Sequence, residues 1–231
     1  MTDVATLGRR AFAELLGTAF LVATVVGSGI AATRLYPADV GLQLLENSIV
    51  TGATLVALIL ALQPVSAAFN PVVTLIELAV RALTPLEAAT VVAAQLAGGM
   101  GGAIVANLMF GLPAVTLSQH QRSGSGLWLG EVVATLGLVV VIFGVVRGGR
   151  PQRVAVAVGA YITAAYWFTS STSFANPAVT IARTLSNTFA GIAPASAPAF
   201  VAMQLLGGAL GLGAVRILHP HLLVPLPGDD A

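Results

Sequence analysis

Two Asn-Pro dipeptides occupy matching places in the sequence, each at the start of a short apolar segment. Asn70-Pro71-Val72 lies in FNPVVTLIEL, and Asn176-Pro177-Ala178 lies in FANPAVTIAR. Asn is a favoured N-cap and Pro is tolerated at the first helical position, so both predict a helix start. The segments that follow are too short to cross a bilayer. Paired interrupted apolar segments indicate a transport site, at which the Asn amides would donate to a passing solute.

Two carboxylates fall inside long apolar segments, Glu14 in AFAELLGTAFL and Glu131 in LWLGEVVATLGL. A carboxylate within a membrane span is costly and is a functional candidate by default. A proton relay would need neighbouring acids or His, which these segments do not offer. We therefore favour a structural role, in which Glu14 and Glu131 accept backbone hydrogen bonds from the irregular segment before each short helix.

Glu77 and Arg183 each lie seven residues after the Asn of their segment. One interpretation is that both side chains extend toward water at the two membrane faces. The alternative places Arg183 in an outer vestibule, where its charge would attract oxyanions.

Other chemistry is poorly supported. The chain has no Cys and a net charge of +1, so thiol chemistry, disulfides and nucleic-acid binding are not expected. His120, His219 and His221 lie in a loop and the tail and do not predict a metal site. The polar run 171–173 has no base beside it, and no nucleotide-binding glycine loop is present. The sequence predicts neither an enzyme nor a bound cofactor.

Composition places these residues in a membrane protein. The chain is 57% hydrophobic and 8% charged, with a mean hydropathy of +0.93, whereas a soluble domain carries about 25% charged residues. Six spans and two half-helices, meaning helices that enter the bilayer without crossing it, are predicted. The spans are Arg10 to about Thr33, then about 41–62, 86–109, 127–146, 153–169 and 197–218; the half-helices are about 71–81 and 177–187.

The second half of the chain repeats the first. Three landmarks recur in order, about 110 residues apart: Glu14 with Glu131, Asn70 with Asn176, and Gln95 with Gln204. We predict one channel domain over 1–231, with one repeat at about 10–112 and the other at about 127–218. Three spans per repeat make the second copy enter from the opposite side, so the fold is an all-α inverted repeat.

The Arg residues predict the orientation. Seven of the ten fall on one side of six alternating spans: Arg9, Arg10, Arg81, Arg147, Arg150, Arg153 and Arg216. Arg34, Arg122 and Arg183 fall on the other side. The positive-inside rule then puts both termini in the cytoplasm.

Eight glycines recur in two matching groups in the third and sixth spans. Such small residues predict close helix–helix packing and no chemistry. They are Gly98, Gly99, Gly101 and Gly102, and Gly207, Gly208, Gly211 and Gly213.

Together, the two Asn-Pro-Ala-type boxes, the Glu in spans one and four and the duplicated three-span unit resemble the aquaporin or major intrinsic protein family, and its aquaglyceroporins in particular. The resemblance covers essentially the whole chain, although Val72 replaces the usual Ala of the first box. It implies one pore per subunit, a homotetramer in the lipid bilayer and small neutral solutes such as water and glycerol.

The resemblance also implies an outer selectivity filter of four positions. They match Thr51, Ala164, Ser173 and Val179, with Val50 as the alternative to Thr51. The family's filter Arg follows the second box directly, where this chain has Val179. Such a filter has neither a fixed cation nor a bulky aromatic, so a wide pore for uncharged polyols and metalloid acids is expected.

Val179 within NPAVTIART is similar to a bacterial branch of the family associated with arsenic-resistance operons. This similarity favours an inner-membrane channel for arsenicals, with arsenite the simplest cargo and methylated or pentavalent forms as further candidates. A general glycerol facilitator is the alternative. Rivals from other classes are an ion-coupled transporter using Glu14 or Glu131 and a structural membrane protein with a closed pore.

Overall fold

The structure is a computed structural model that describes residues 4–220, with side chains described from Thr6 onward. All regular elements within this range are helical, as predicted. They are α1 (Val4–Leu35), α2 (Val40–Leu62), α3 (Pro71–Ala79), α4 (Pro85–Met109), α5 (Ser125–Arg147), α6 (Val154–Phe168), α7 (Pro177–Ala182) and α8 (Ala197–Leu218), with short 3-10 turns at Pro151–Arg153 and Arg183–Leu185.

The helix lengths fit a protein that crosses a membrane several times. Five helices of the described region are long and apolar enough to span a bilayer: α1, α2, α4, α5 and α8. The predicted fifth span is α6, whose 15 residues are preceded directly by the 3-10 turn. The half-helices are α3, with nine residues, and α7, with six. The architecture of six spans and two half-helices is confirmed.

Some predicted boundaries differ from the observed ones. Helix α1 begins at Val4 rather than Arg10, because backbone bonds within a helix do not require apolar side chains at its exposed end. Helix α3 ends at Ala79, and Arg81 beyond it has a positive φ of 62°. Helix α7 tightens into the 3-10 turn after Ala182, which is a common way to pair the last carbonyls of a helix.

The N-caps predicted from the two Asn-Pro dipeptides are present. Asn70 has extended backbone, and its Oδ1 accepts from the Val72 amide at 3.0 Å. Asn176 has the same geometry and accepts from the amides of Ala178 and Val179 at 3.0 and 3.3 Å. Each Pro occupies the first turn, where it sacrifices no intrahelical bond.

Two helix pairs pack closely through glycine. On α4, a Cβ at Gly98 or Gly102 would collide with the backbone carbonyls of Leu15 or Ala19 of α1. On α8, Gly207 lies in the same way against the Val132 carbonyl of α5. Small residues at such spacing let helix backbones approach within a membrane. The α1–α4 and α5–α8 pairs are therefore the equivalent cores of the two halves.

The long connection between α4 and α5 ties the halves together at one end of the molecule. Its Thr116 amide donates to the Leu185 carbonyl at 3.0 Å, and its Ser118 amide donates to the Thr184 carbonyl at 2.9 Å. The connection therefore lies along the segment that leaves α7, and it holds that segment in place.

Candidate solute pore

A cavity of about 390 Å³ runs between the two halves and past both Asn-Pro boxes. At one end, the Glu77 end, its wall includes Arg10, Gln63 and Glu77. At the other, the Arg183 end, its wall includes Tyr166, Ser173 and Arg183. The middle is lined largely by apolar side chains of α1, α2, α5 and α6: Leu21, Val25, Leu55, Ile59, Leu138, Ile142, Val158 and Ile162. The wall therefore offers few polar groups to a solute.

The half-helices meet through their capping Asn residues, which both line the cavity. The Asn70 amide donates to the Ala175 carbonyl at 2.8 Å, and the Asn176 amide donates to the Phe69 carbonyl at 2.7 Å. A side-chain amide has two hydrogens, so each Asn keeps one for another acceptor. The N-terminal ends of both half-helices point toward this junction, which adds partial positive charge there.

Glu14 holds the segment that leads into α3. Both of its oxygens accept hydrogen bonds: from the Ala68 amide at 2.8 Å, the Phe69 amide at 2.7 Å, the Ser66 hydroxyl at 2.6 Å and the Gln95 amide at 2.8 Å. The side chain is fully buried and does not line the cavity. Its acceptor capacity is used within the protein, which argues against a proton relay.

Glu131 holds the segment that leads into α7 in the same way. It accepts from the amides of Phe174 and Ala175, each at 2.9 Å, and from Gln204 at 2.5 Å. Ala175 and its counterpart Phe69 both have positive φ, 48° and 49°. Residues other than glycine adopt this conformation at a cost of about 1–2 kcal/mol. The two carboxylates therefore hold strained turns immediately before the boxes.

At the Arg183 end the wall includes three of the predicted filter residues, Thr51, Ser173 and Val179. All three are buried. The Ser173 hydroxyl has no hydrogen-bond partner among the described residues, so it is available to a solute. Val50, the alternative to Thr51, does not line the cavity.

Ala164 is not at the filter. It lies exposed on the outer surface of α6, whereas Tyr166 and Ile162 of the same helix line the cavity. Residues four apart share a helix face and residues two apart do not, which explains the difference. The Tyr166 hydroxyl lies 3.3 Å from the Thr51 hydroxyl, across the cavity end. An aromatic side chain, that of Tyr166, therefore lines the Arg183 end of the cavity together with Thr51, Ser173 and Val179.

Arg183 lies in the wall of the cavity and is 2% exposed. Its guanidinium stacks on the Phe174 ring, with Cζ 3.4 Å from the ring centre, and its Nε donates to the Ala190 carbonyl. The guanidinium has no ion pair or other hydrogen bond with the described residues. A fixed cation is therefore present near the filter, one helical turn beyond Val179.

Arg122 supports this arrangement from the connection between α4 and α5. Its guanidinium lies 5.1 Å from the centre of the Phe174 ring, and its Nε donates to the Gly191 carbonyl at 2.9 Å. Burial lowers the pKa of the Arg122 guanidinium, an effect that Glu131 partly opposes. The Phe174 ring is thus in contact with two guanidinium groups, those of Arg122 and Arg183.

The remaining predicted site residues lie outside the cavity wall. The half-helices bury four of them: Pro71, Val72, Pro177 and Ala178. The Val72 side chain packs against Gly208 so closely that a Cβ at Gly208 would collide with it. Of the histidines, His120 is exposed in the long connection and His219 caps the end of α8. His221 and both chain termini lie outside the described residues.

Two residues of the cavity wall escaped the sequence analysis. The resemblance places the filter position of α6 twelve residues before Asn176, at Ala164. The segment between α6 and α7 is not helical, so this count does not determine the helix face, and Tyr166 lines the cavity instead. Glu77, for which the sequence predicts only a side chain that extends toward water at a membrane face, also lines the cavity. A signal for it existed: positions three and seven after an Asn share its helix face, and Val73 and Glu77 follow Asn70 at this spacing, as Val179 and Arg183 follow Asn176.

Comparison with known proteins agrees with this geometry. Residues 1–153 match the model of the major intrinsic protein family. The chain is 50% identical over 216 residues to aquaglyceroporin AqpS of Rhizobium meliloti (strain 1021), across 93% of this chain and 92% of that protein. In structure it is similar to the aquaglyceroporin from Plasmodium falciparum, with a TM-score of 0.70, 18% identity and coverage of 93% and 98% of the two chains. Because the identity is so low, the match to this structure supports the fold alone. The predicted resemblance is confirmed, and the chain is a multi-pass membrane protein of the major intrinsic protein family.

Proposed function

We propose that this chain is a passive channel for small neutral solutes and that arsenicals are its favoured cargo. The observation that carries the proposal is the cavity itself, which passes both capping Asn residues and is otherwise lined mainly by apolar side chains. Such a wall provides hydrogen bonds at a few places and little affinity elsewhere, which suits rapid passage. The partial positive charge at the junction of the half-helices disfavours cations and protons.

The proposed filter consists of Thr51, Tyr166, Ser173 and Val179. Three of these side chains carry a hydroxyl, and Val179 adds an apolar surface. Compact solutes with several hydroxyls, such as glycerol or arsenous acid, match this mixture. The proposed role of Arg183 is to attract oxyanions to this end of the cavity.

The similarity of NPAVTIART to the branch associated with arsenic resistance favours arsenicals over glycerol as the physiological cargo. The relative AqpS is described as an aquaglyceroporin, which supports the broader class of small uncharged solutes. The bacterial relative AqpS supports a bacterial inner membrane, and the distribution of Arg residues supports the placement of both termini in the cytoplasm. This orientation puts the Glu77 end on the cytoplasmic side. A homotetramer, the assembly implied by family resemblance, completes the proposal.

The ion-coupled alternative is disfavoured by Glu14 and Glu131. Both are fully buried, lie outside the cavity wall and accept three or more hydrogen bonds. A titrating carboxylate would have to break these bonds at each cycle, at a cost of about 1–3 kcal/mol for each group left unpaired. Downhill flux that does not depend on a pH gradient would exclude the coupled mechanism.

The decisive experiment is flux into proteoliposomes, with water, glycerol, arsenite and arsenate compared. We expect glycerol and arsenite to enter much faster than in empty liposomes. Val179→Arg should reduce glycerol and arsenite entry by about tenfold or more and water entry by about twofold, because a long cation narrows the filter. Val179→Ala, which removes volume without adding charge, is the control and should not slow either solute.

Several outcomes would contradict the proposal. Absence of any solute flux would favour the closed-pore structural protein. Water entry alone would mean that the pore is too narrow for polyols and arsenicals. Glycerol entry without arsenite entry would favour the general glycerol facilitator. An equal loss of water and glycerol in Val179→Arg would remove Val179 from the filter.

A further inference from the structure

Among the described residues, Glu77 is the one acidic residue that lines the cavity. It follows Asn70 by two helical turns on the same face of α3, so it faces the path that passes the Asn-Pro boxes. The side chain is half-buried. Its carboxylate has no hydrogen bond or ion pair with any described residue. Glu77 therefore keeps its full capacity to accept hydrogen bonds from a solute.

The surroundings of Glu77 do not stabilise a negative charge. It lies in the last turn of α3, where the carbonyl ends of the helix carry partial negative charge. Its charged neighbours are Glu14 and Arg10 of α1. Arg10 donates to Glu87 of α4 at 3.2 Å, and Glu87 also accepts from the Thr84 amide at 2.8 Å. The nearby cation is thus bound to another carboxylate, and packing alone gives no reason for an acid here.

The rest of the pore explains what an acid at this place would do. Half-helix dipoles that meet with their positive ends at the centre disfavour cations but favour anions. Arg183, at the opposite end, also favours anions. Neither feature prevents an anion from passing through. A negative charge at the Glu77 end would do so, while it still accepts hydrogen bonds from the hydroxyls of a neutral solute.

We propose that Glu77 is a specificity-determining residue that binds solute hydroxyls at its end of the cavity and excludes anions from the pore. This inference rests on the proposed channel function. It implies that an oxyacid passes in its neutral form, because that form has O–H groups to donate and carries no charge. The matched position of Arg183 in the second half then makes the two ends of the pore opposite in charge.

The test uses the purified full-length channel in proteoliposomes at a fixed pH of about 8, with nitrate as the anionic probe and glycerol as the neutral one. Nitrate has no neutral form at this pH, so its flux reports passage of a charge. Glu77→Gln keeps the size of the side chain and removes the charge. We expect the nitrate-to-glycerol permeability ratio to rise about tenfold, because removal of one negative charge from the wall removes its short-range repulsion of an anion.

Three further variants distinguish an effect of the Glu77 charge from a structural effect. Glu77→Asp keeps the charge and should leave the ratio within about twofold of the parent channel. Glu46→Gln makes the same chemical change on α2, outside the cavity wall, and should not alter the ratio. Glu77→Ser provides a second uncharged variant and should raise the ratio as Glu77→Gln does.

An unchanged ratio in Glu77→Gln and Glu77→Ser would overturn the inference and leave the channel function standing. Loss of glycerol flux in both variants would also overturn it, because it would give Glu77 a structural role. A parent channel that passes neither glycerol nor arsenite would overturn the proposed function and this inference with it.

Discussion

Glu14 receives four hydrogen bonds, three of them from the segment before α3 and one from Gln95 of α4. A single side chain thus links three elements and holds Phe69 in its positive-φ conformation. Glu131 does the same with three donors. All of these donors point at carboxylate oxygens. A hydrogen-bond donor in place of either oxygen would therefore face other donors and have no acceptor.

Glu14→Gln should therefore destabilise the protein by about 3 kcal/mol or more, because one oxygen becomes a donor that faces other donors. Thermal unfolding in detergent measures the effect. Thr18→Val is the matched control one turn along α1: Thr18 is fully buried and its hydroxyl has no partner among the described residues. Replacing it with an isosteric apolar group should be neutral or stabilising. Equal losses in both variants would mean that burial, not hydrogen bonding, determines the sensitivity.

A second prediction concerns Tyr166, whose aromatic side chain lines the Arg183 end of the cavity. Tyr166→Ala should widen the Arg183 end and raise the permeability to xylitol relative to glycerol about threefold or more, because pore diameter limits the larger polyol. Stopped-flow swelling of proteoliposomes measures both rates. Ala164→Leu, on the exposed face of the same helix, should leave both unchanged. A response to the Ala164 variant alone would return the filter to the position expected from sequence.

The contrast between these two residues shows the limit of reading a site from sequence. Asn70 and Asn176 could be placed because capping and helix start are local properties of a few adjacent residues. Ala164 could not, because the count from Asn176 passes through the segment 169–175. Thr172 and Ser173 there have positive φ, 62° and 50°. A residue count through such backbone does not determine which face of the next helix meets the pore.

At the scale of elements, glycine determines how closely the helices of each half approach. The sequence indicated two matching groups of glycines but not which members make contact. Gly98 and Gly102 lie against the α1 backbone, and Gly207 and Gly211 against α5. At Gly101, by contrast, an added Cβ would meet no atom of the described residues within 4 Å. The four-residue spacing selects one helix face, and only the structure shows which face that is.

Gly102→Val should destabilise the α1–α4 pair by about 1–3 kcal/mol or more, because the added carbons meet the Ala19 carbonyl. Gly101→Val adds the same group to the neighbouring residue, where there is open space, and should cost much less. The two unfolding midpoints in detergent give the comparison. Similar losses would show that valine in α4 is harmful by itself, whatever it touches.

On the scale of the whole molecule, the inverted arrangement puts unlike residues in like places. Glu77 and Arg183 follow their capping Asn by the same seven residues, yet one is an acid and the other a base. The inversion carries them to opposite ends of one cavity. The two halves thus share the same structural carboxylates, Glu14 and Glu131, while the two ends of the cavity differ in charge.

The two hydrogen bonds that the Asn side-chain amides donate at the centre of the pore also affect how the protein is synthesised and folded. Asn70 donates to a carbonyl 105 residues later in the chain, and Asn176 to one 107 residues earlier. At a synthesis rate of about 5–20 residues per second, Asn70 waits roughly 5–20 seconds for its acceptor to exist. The first half can enter the membrane during that time, and Glu14 can already hold the turn before α3. The hydrogen bonds that join the two half-helices, however, form only when the second half arrives. Completion of the pore is thus a late event in biosynthesis, and it depends on the last third of the chain.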